Sequence, residues 1–193
     1  RGWLPLIDLA YAGFGAGIEQ DTVGLRALIK QVPVALISVS CSKIFGLYRE
    51  RVGAAYISTQ SAADAEIAEA ELKRVAREIY SMPPDHGAAV VQLIMSDASL
   101  KALWLTELAE MRDRINSMRS LLAGELNRLD NSERFTALAN QRGMFSLLPL
   151  SVEQVCRLRD DHAVYVIEDG RTNVAGVTSD NVAMVAKALF AVL

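Results

Sequence analysis

The apolar run from Val32 to Val39 constrains the fold of this chain more than any other feature. The run is nearly continuous, whereas a strand with one solvated face alternates apolar and polar residues. Continuous apolar strands are typical of parallel sheets that helices cover on both faces. Two further strands are predicted at Trp3–Leu9 and Val52–Ser58. The sequence therefore indicates an α/β fold with a buried sheet.

Helices are predicted to cover this sheet, and one of them is unusually long. The spacing of apolar residues predicts helices at Asp21–Gln31, Ala62–Tyr80, Gly87–Ser96 and Ser99 to about Leu129. Pro83 and Pro84 are expected to stop the second of these helices. Because the last helix exceeds the usual globular length, it is predicted to link two domains, residues 1–112 and residues 113–193.

The second domain is predicted to be a small α+β unit, in which strands and helices alternate less regularly. Short strands are predicted at Met144–Leu147, Ala163–Ile167 and Arg171–Val174. Helices are predicted at Ser151–Asp161 and Ser179–Val192, the latter capped by Thr178 or Ser179.

A lysine follows the apolar run in an unusual setting. Lys43 has Ser40 and Ser42 before it and Arg51 eight residues after it. An exposed loop lysine is the commoner role of this residue type. Hydroxyls and a guanidinium, however, suit a phosphate, and burial would lower the pKa of the amine enough to make it nucleophilic. We therefore expect Lys43 to form a Schiff base with a phosphorylated aldehyde cofactor.

The segment SCSKIFGLYRERVG, residues 40–53, resembles the cofactor-lysine segment of the pyridoxal-phosphate-dependent aminotransferases of aspartate and aromatic amino acids. This resemblance implies the C-terminal part of a fold-type-I transferase, with part of the large, mainly parallel-sheet domain and a small α+β domain. It also implies that pyridoxal 5′-phosphate is bound by Lys43, and that Ser40, Ser42 and Arg51 hold its phosphate.

A second segment, PLIDLAYAGF at residues 5–14, is similar to a strand and turn of the same family. The resemblance implies that Asp8 pairs with the pyridine nitrogen of the cofactor and that Tyr11 donates to its ring oxygen. A carboxylate there keeps the ring nitrogen protonated, so that the ring can accept electrons. Alone, Asp8 would be read as a turn or cap residue. Ala12 stands where the family usually has glutamine.

Two arginines lie in segments that resemble the family's substrate-binding segments. Arg77 is expected to bind the distal carboxylate of a dicarboxylic substrate in the neighbouring subunit, and Arg171 to bind the α-carboxylate. A guanidinium fork suits a carboxylate better than an ammonium group does. Inside an apolar strand, Arg171 would also need an anionic partner. A solvated helix arginine and a structural salt bridge are the plainer alternatives for the two residues.

The resemblance implies a ping-pong transamination between an aromatic amino acid, or aspartate, and 2-oxoglutarate. Lys43 would move the proton between the substrate Cα and the cofactor as general base and acid. A homodimer with a shared active site is implied as well. Ile44 and the segment 13–19 favour aromatic substrates. An aspartate aminotransferase, a pyridoxal-phosphate-sensing regulatory domain without turnover and a catalytically dead interaction module remain alternatives.

The family's enzymes are about twice as long, and the glycine turn, stacking aromatic and asparagine of their first half have no counterpart here. We therefore expect a fragment that is inactive alone. A net charge of −3 without a basic block argues against nucleic acid as a partner. Apolar runs shorter than a membrane span, and two distant cysteines, Cys41 and Cys156, fit a reduced, cytoplasmic protein. His86 and His162 are isolated, so no metal site is expected.

Overall fold

The computed structural model describes residues 2–193, which form two compact units. The first unit comprises the chain up to Gly13 together with Gly17–Leu108. The second comprises Phe14–Ala16 and Ala109–Leu193. One helix, α6 (Ala98–Asp130), crosses from the first unit into the second.

The first unit contains a three-stranded sheet in the order β1 (Leu6–Leu9), β2 (Ala35–Ser40) and β3 (Gly53–Ser58). Strands β1 and β2 are parallel, as expected, but β3 runs antiparallel to β2. Antiparallel neighbours can be joined by a short connection, whereas parallel neighbours need a long crossover. The link from β2 to β3, residues 41–52, therefore begins and ends at the end of the sheet where β1 and β2 finish.

The strands of this sheet are less buried than the sequence predicted. Among their described residues only Ala35 is buried, while the side chains of Leu6 and Tyr56 are 72% and 55% exposed. Strand β2 also begins three residues later than expected, after Pro33, which has no backbone N–H to donate to a sheet. The side chains of this sheet are thus more exposed in this chain than a sheet covered on both faces would leave them.

Five helices lie wholly in the first unit: α1 (Ile18–Asp21), α2 (Val23–Ile29), α3 (Cys41–Ile44), α4 (Ala62–Tyr80) and α5 (His86–Ser96). The predicted helix from Asp21 is split, because α1 and α2 break at Thr22. Helix α4 has the predicted bounds. Its N-cap is Ser61, whose hydroxyl accepts from the Asp64 N–H, and it ends at Ser81, a residue with a φ of 66°.

The second unit is built from the C-terminal part of α6 and the elements that follow it. These are α7 (Thr136–Ala139), β4 (Phe145–Leu147), α8 (Val152–His162), β5 (Arg171–Asn173), a short 3-10 helix (Val174–Gly176) and α9 (Val182–Val192). Strands β4 and β5 pair antiparallel, with Leu147 opposite Arg171. Leu122, Leu126, Leu158 and Leu189 lie at the centre of the core of this unit.

Two predictions for the second unit are wrong. The expected strand at Ala163–Ile167 is irregular chain, because Ala163 adopts a left-handed conformation, with φ 53°, at the end of α8. Helix α9 begins at Val182 after Asn181, rather than at Ser179. Helix α8 itself begins as expected, with a capping box between Ser151 and Gln154.

Within residues 2–193 no single helix has both the length and the apolar character needed to cross a membrane. Helices α5 and α6 meet the criterion only when taken together, across a bend of 100°.

Candidate active site

Lys43 lies on α3, the single helical turn that follows β2. The Ser40 hydroxyl caps this turn by accepting from the Ser42 N–H at 3.2 Å. The Cys41 N–H donates to the Val52 carbonyl at 3.1 Å, which ties the turn to the start of β3. A cap and a cross-strand bond therefore fix the backbone that carries the lysine, and its side chain is half-buried.

The structure brings Lys43 and Tyr11 together. The lysine Nζ lies over the tyrosine ring, 4.8 Å from the ring centroid. An ammonium group above an aromatic face is stabilised by the ring quadrupole. Tyr11 follows β1 by two residues and Lys43 follows β2 by three, so two neighbouring parallel strands deliver this pair.

Asp8 is the last-but-one residue of β1 and lies opposite Ser38 of β2. Its side chain is exposed, and no hydrogen bond or ion pair engages it within the part of the chain that the structure describes. In open α/β sheets, ligands bind outside the carboxyl ends of the strands. Asp8 thus leaves a carboxylate available at the end of the sheet where Tyr11 and Lys43 lie.

The residues expected to bind phosphate lie along the chain at the same end of the sheet. Ser40 ends β2 and lies opposite Gly53, the first residue of β3, and Arg51 precedes Gly53 by two residues. Gly53 has no room for a side chain, because a Cβ would lie 2.4 Å from the Val39 carbonyl oxygen. Arg51 has a φ of 51°, is exposed, and donates to the Tyr48 carbonyl at 3.0 Å. Ser42 is buried.

An aromatic pair anchors the lysine turn, and no pattern in the sequence predicts it. The Trp104 indole N–H donates to the Ile44 carbonyl at 2.7 Å. The Trp104 ring also stacks on the Phe45 ring, with the ring centroids 4.6 Å apart and an interplanar angle of 2°. Trp104 belongs to α6. Since it is 60 residues from Ile44 in the chain, no local pattern could reveal the contact.

Helix α5 packs tightly against the loop that carries Arg51. A Cβ on Gly87 would lie 2.7 Å from the Cβ of Glu50, so only glycine fits at this contact. His86 Nδ1 lies 2.8 Å from a carboxylate oxygen of Glu50. A hydrogen bond and the charge of Glu50 raise the pKa of His86. The loop is therefore held by its close packing against α5 and by an ion pair whose strength depends on pH.

The two arginines expected to bind substrate lie in different units. Arg77 is exposed in the last turn of α4, and no side chain of residues 2–193 pairs with it. By contrast Arg74, one turn earlier, forms ion pairs with Glu71 and Glu78. Arg77 thus differs from its neighbour in keeping its guanidinium available to an external anion.

Arg171 begins β5 in the second unit, and its guanidinium lies over the Phe145 ring at 5.4 Å. The argument that burial demands an anionic partner is wrong, because Arg171 is exposed and β5 is a polar strand, Arg-Thr-Asn. Phe145, on β4, was not predicted as a site residue. The aromatic ring supports the guanidinium and leaves its N–H groups accessible to a carboxylate.

An apolar cavity of about 500 Å³ also lies in the first unit, but none of the expected site residues lines it. Its walls include Val39, Ile44, Phe45, Tyr56 and Trp104. Cys41 lines it too, and burial raises the pKa of the Cys41 thiol, so this thiol is not activated. The polar groups therefore gather outside this cavity.

The donor set at the ends of β1 and β2 fits pyridoxal phosphate. It offers an amine for the aldehyde, an exposed carboxylate for the ring nitrogen, a phenol, and two serine hydroxyls with an arginine before the paired strand for the phosphate. No cluster of three or more His, Cys, Asp or Glu side chains suited to a metal ion occurs in residues 2–193.

Comparison with known proteins gives a consistent result. A family model described as aminotransferase class I and II matches residues 1–189. The chain is 50% identical to the tyrosine aminotransferase of Rhizobium meliloti strain 1021, over 96% of this chain and 47% of that protein. It is 44% identical to the aspartate aminotransferase of Escherichia coli K12, over 100% of this chain and 49% of that protein.

Solved structures confirm the predicted fold class. The aromatic-amino-acid aminotransferase of Burkholderia pseudomallei, described as covalently bound to pyridoxal phosphate, superposes with a TM-score of 0.93 at 42% identity. The match covers 98% of this chain and 48% of that one. The chain therefore spans about half the length of the relatives it matches.

Proposed function

Because the chain belongs to the class I and II aminotransferase family, we propose that the protein of which it is part transfers an amino group between an aromatic amino acid, or aspartate, and 2-oxoglutarate. The observation that carries this proposal is the position of Lys43. Its amine lies over the Tyr11 ring at the same end of the sheet as the exposed Asp8 carboxylate.

Pyridoxal 5′-phosphate is the proposed cofactor, held by Lys43, Asp8, Tyr11, Ser40, Ser42 and Arg51. When bound, it supplies an electron sink for the charge that develops when the Cα–H bond of the amino acid is broken. Asp8 keeps its ring nitrogen protonated. Ser40 and Ser42 lie at the N-terminus of α3, where hydroxyls and backbone N–H groups suit a phosphate, and Arg51 adds a positive charge.

Lys43 is the proposed general base and acid. Its amine would take the proton from the substrate Cα and deliver it to C4′ of the bound cofactor. The Tyr11 ring, 4.8 Å away, stabilises the protonated amine between these two transfers. The anchored turn α3 limits the movement of the lysine backbone, so that only the side chain has to swing.

Arg171 is the proposed ligand of the substrate α-carboxylate, and Arg77 the ligand of a distal carboxylate in the active site of a neighbouring subunit. Both guanidinium groups are exposed, and no carboxylate of the described chain pairs with either. Two planar forks that hold the substrate at its two ends fix the Cα–H bond in one orientation. The proposed protein is a cytoplasmic homodimer in which each active site is formed by residues of both subunits.

Aromatic substrates are favoured over aspartate. The relative at 50% identity is named a tyrosine aminotransferase, whereas the aspartate aminotransferase reported above is 44% identical. The residue after Lys43 is Ile44, which is buried. Aspartate aminotransferase activity is the second candidate, and a pyridoxal-phosphate-sensing regulatory domain is the third, because Lys43 and Asp8 would serve that role equally.

The test uses the full natural protein, incubated with pyridoxal phosphate and reduced with borohydride. Peptide mass spectrometry should find the reduced cofactor on Lys43, and Lys43→Ala should remove the label. Tyrosine and aspartate are then assayed separately with 2-oxoglutarate, and the ratio of kcat/KM decides the preference. Label on Lys43 without amino transfer would support the regulatory role. A label confined to other lysines would refute the assignment.

A further inference from the structure

Arg119 is a fully buried arginine in the second unit, on α6. Its Nε donates to the Ser146 hydroxyl at 3.1 Å, its Nη1 to the Asn116 side-chain oxygen at 2.7 Å, and its Nη2 to the Gly143 carbonyl. All three acceptors are neutral. No carboxylate of the described residues pairs with it, although burial of an unpaired cation costs free energy.

The cost of this burial suggests that Arg119 has a role other than stability. Burial and the nearby Arg142 both lower its pKa, so its surroundings disfavour the charge. An apolar side chain of similar size would be cheaper to bury at this position. What the guanidinium alone provides is a rigid set of three directed hydrogen bonds.

These hydrogen bonds hold the two ends of one short segment. Gly143 precedes β4 by two residues, and Ser146 is the middle residue of β4. Phe145 lies between them and is the residue whose ring supports the guanidinium of Arg171. Ser146 is in turn opposite Thr172, the residue after Arg171. Arg119 thus fixes both flanks of the aromatic ring on which Arg171 lies.

A second arginine of α6 holds the other strand. Arg114 donates to the Ala175 and Val177 carbonyls, at 3.3 Å and 3.1 Å, in the chain that follows β5. Asn116, the partner of Arg119, donates to the Gly15 carbonyl at 3.2 Å. Helix α6 therefore restrains β4 through the residues at the start of that strand, and β5 through the chain just after the end of that strand.

We propose that Arg119 is a positioning residue for substrate binding, which acts on Arg171 through Phe145. This inference rests on the proposed function of Arg171 as the α-carboxylate ligand. A guanidinium held over a fixed ring keeps one direction for its N–H donors, as bidentate carboxylate binding requires. A mobile ring would let the fork tilt and lose that geometry.

The experiment compares Arg119→Met with Arg128→Met in the full natural protein. Arg128 lies on the same helix but is exposed and pairs only with Glu125, so its variant is the matched control. We expect Arg119→Met to raise KM for the amino acid and the dissociation constant of an unreactive carboxylate analogue about 10-fold. Retention of pyridoxal phosphate on Lys43 should not change. Arg119→Lys should show most of the same loss, because one ammonium cannot replace the fork.

A double-mutant cycle separates the positioning role from a general loss of structure. If Arg119 acts through Phe145, the effects of Arg119→Met and Phe145→Leu on KM should be far from additive. Additive effects, or an Arg119→Met protein with unchanged KM, would overturn the proposal. An equal loss of cofactor binding and of kcat would also overturn the proposal.

Two further outcomes have a defined meaning. If Arg119→Met does not fold, Ser146→Ala removes a single acceptor, and an unchanged KM in that variant would also refute the positioning role. If the wild-type protein transfers no amino group, the proposed function fails instead. Calorimetric binding of the carboxylate analogue to wild type and variants still tests the link between Arg119 and Arg171.

Discussion

The ring of Trp104 lies flat on the ring of Phe45, with centroids 4.6 Å apart, while its N–H donates to the carbonyl of Ile44. Both contacts fall directly after Lys43 in the chain. The lysine turn α3 is only four residues long and cannot be stable by itself. Its conformation therefore depends on a tryptophan that comes from α6.

Replacement of Trp104 should separate the two contacts. Trp104→Phe keeps a stacked ring but removes the donor to Ile44, and we expect a loss of about 1 kcal/mol in the free energy of unfolding. Trp104→Leu removes the ring as well and should cost roughly 0.5–1.5 kcal/mol more. Urea unfolding measures both values. Trp3→Phe is the control, since Trp3 is 88% exposed. Equal losses of unfolding free energy in the two Trp104 variants would show that ring stacking contributes nothing to stability.

His86 should make stability depend on pH. Glu50 raises the pKa of His86 above its ordinary value of 6.5, so the folded protein binds this proton more tightly than the unfolded chain. The stabilisation is therefore fully present below about pH 6.5 and is lost as the pH rises through the folded-state pKa. The effect should be small, because the imidazole is exposed and the pair is screened by solvent.

The measurement for His86 is the melting temperature as a function of pH, for wild type and His86→Gln. The difference between the two curves should shrink as the pH rises, and should weaken in high salt. His162→Gln, a change at the other histidine, should follow the wild-type curve. A difference that grows with pH would contradict the assigned ion pair.

Gly53 should tolerate no side chain. The Cβ of Gly53→Ala would lie 2.4 Å from the Val39 carbonyl oxygen, and backbone atoms of a paired strand cannot move aside. We expect a loss of about 1–3 kcal/mol in the free energy of unfolding. Gly24→Ala is the matched control, because a Cβ on Gly24 in α2 meets nothing within 4 Å. That variant should gain about 0.4–1 kcal/mol.

The proposed sharing of sites between subunits can be tested with hybrids. Lys43→Ala and Arg77→Met should each lose amino transfer to a dicarboxylic substrate. When the two proteins are mixed after dissociation, a hybrid dimer contains one site with both defects and one intact site. Activity should then recover to about a quarter of the wild-type value.

No recovery in the hybrids would show that Arg77 serves its own subunit. Arg74→Met provides the control for this experiment. Arg74 lies on the same helix but is already paired with Glu71 and Glu78, so its loss should leave activity with dicarboxylic substrates unchanged.

Local sequence signals predicted some elements well and others badly, for identifiable reasons. Helix α4 has the predicted bounds because its apolar period is long and a serine caps its start. The segment Ala163–Ile167 has the β-branched and aromatic composition of a strand, but no strand within residues 2–193 pairs with it. Val164 and Val166 are instead packed against the core while Tyr165 points to solvent. The same composition therefore suits an irregular segment that buries one side without a strand partner.

Local sequence patterns are limited in the same way at the candidate site. Asp8 lies near the end of a strand that the sequence indicated, and Tyr11 and Lys43 follow such strands, so their position at one end of the sheet was predictable. Two other features of the site could not be predicted from the sequence. The exposure of Arg171 depends on β5 lying at the surface of a two-stranded sheet. The network around Arg119 joins residues 24 to 27 positions apart through a guanidinium that no pattern in the sequence marks.

The open sheet of the first unit has a practical consequence. Its two outer strands, β1 and β3, each have a row of backbone N–H and C=O groups that no second neighbouring strand within residues 2–193 satisfies, and they carry exposed side chains such as Leu6 and Tyr56. Unpaired strand edges of this kind are templates for aggregation. Light scattering of the 193-residue polypeptide should therefore rise steeply with concentration. Anyone who prepares this polypeptide alone will have to solve a problem of solubility before one of catalysis.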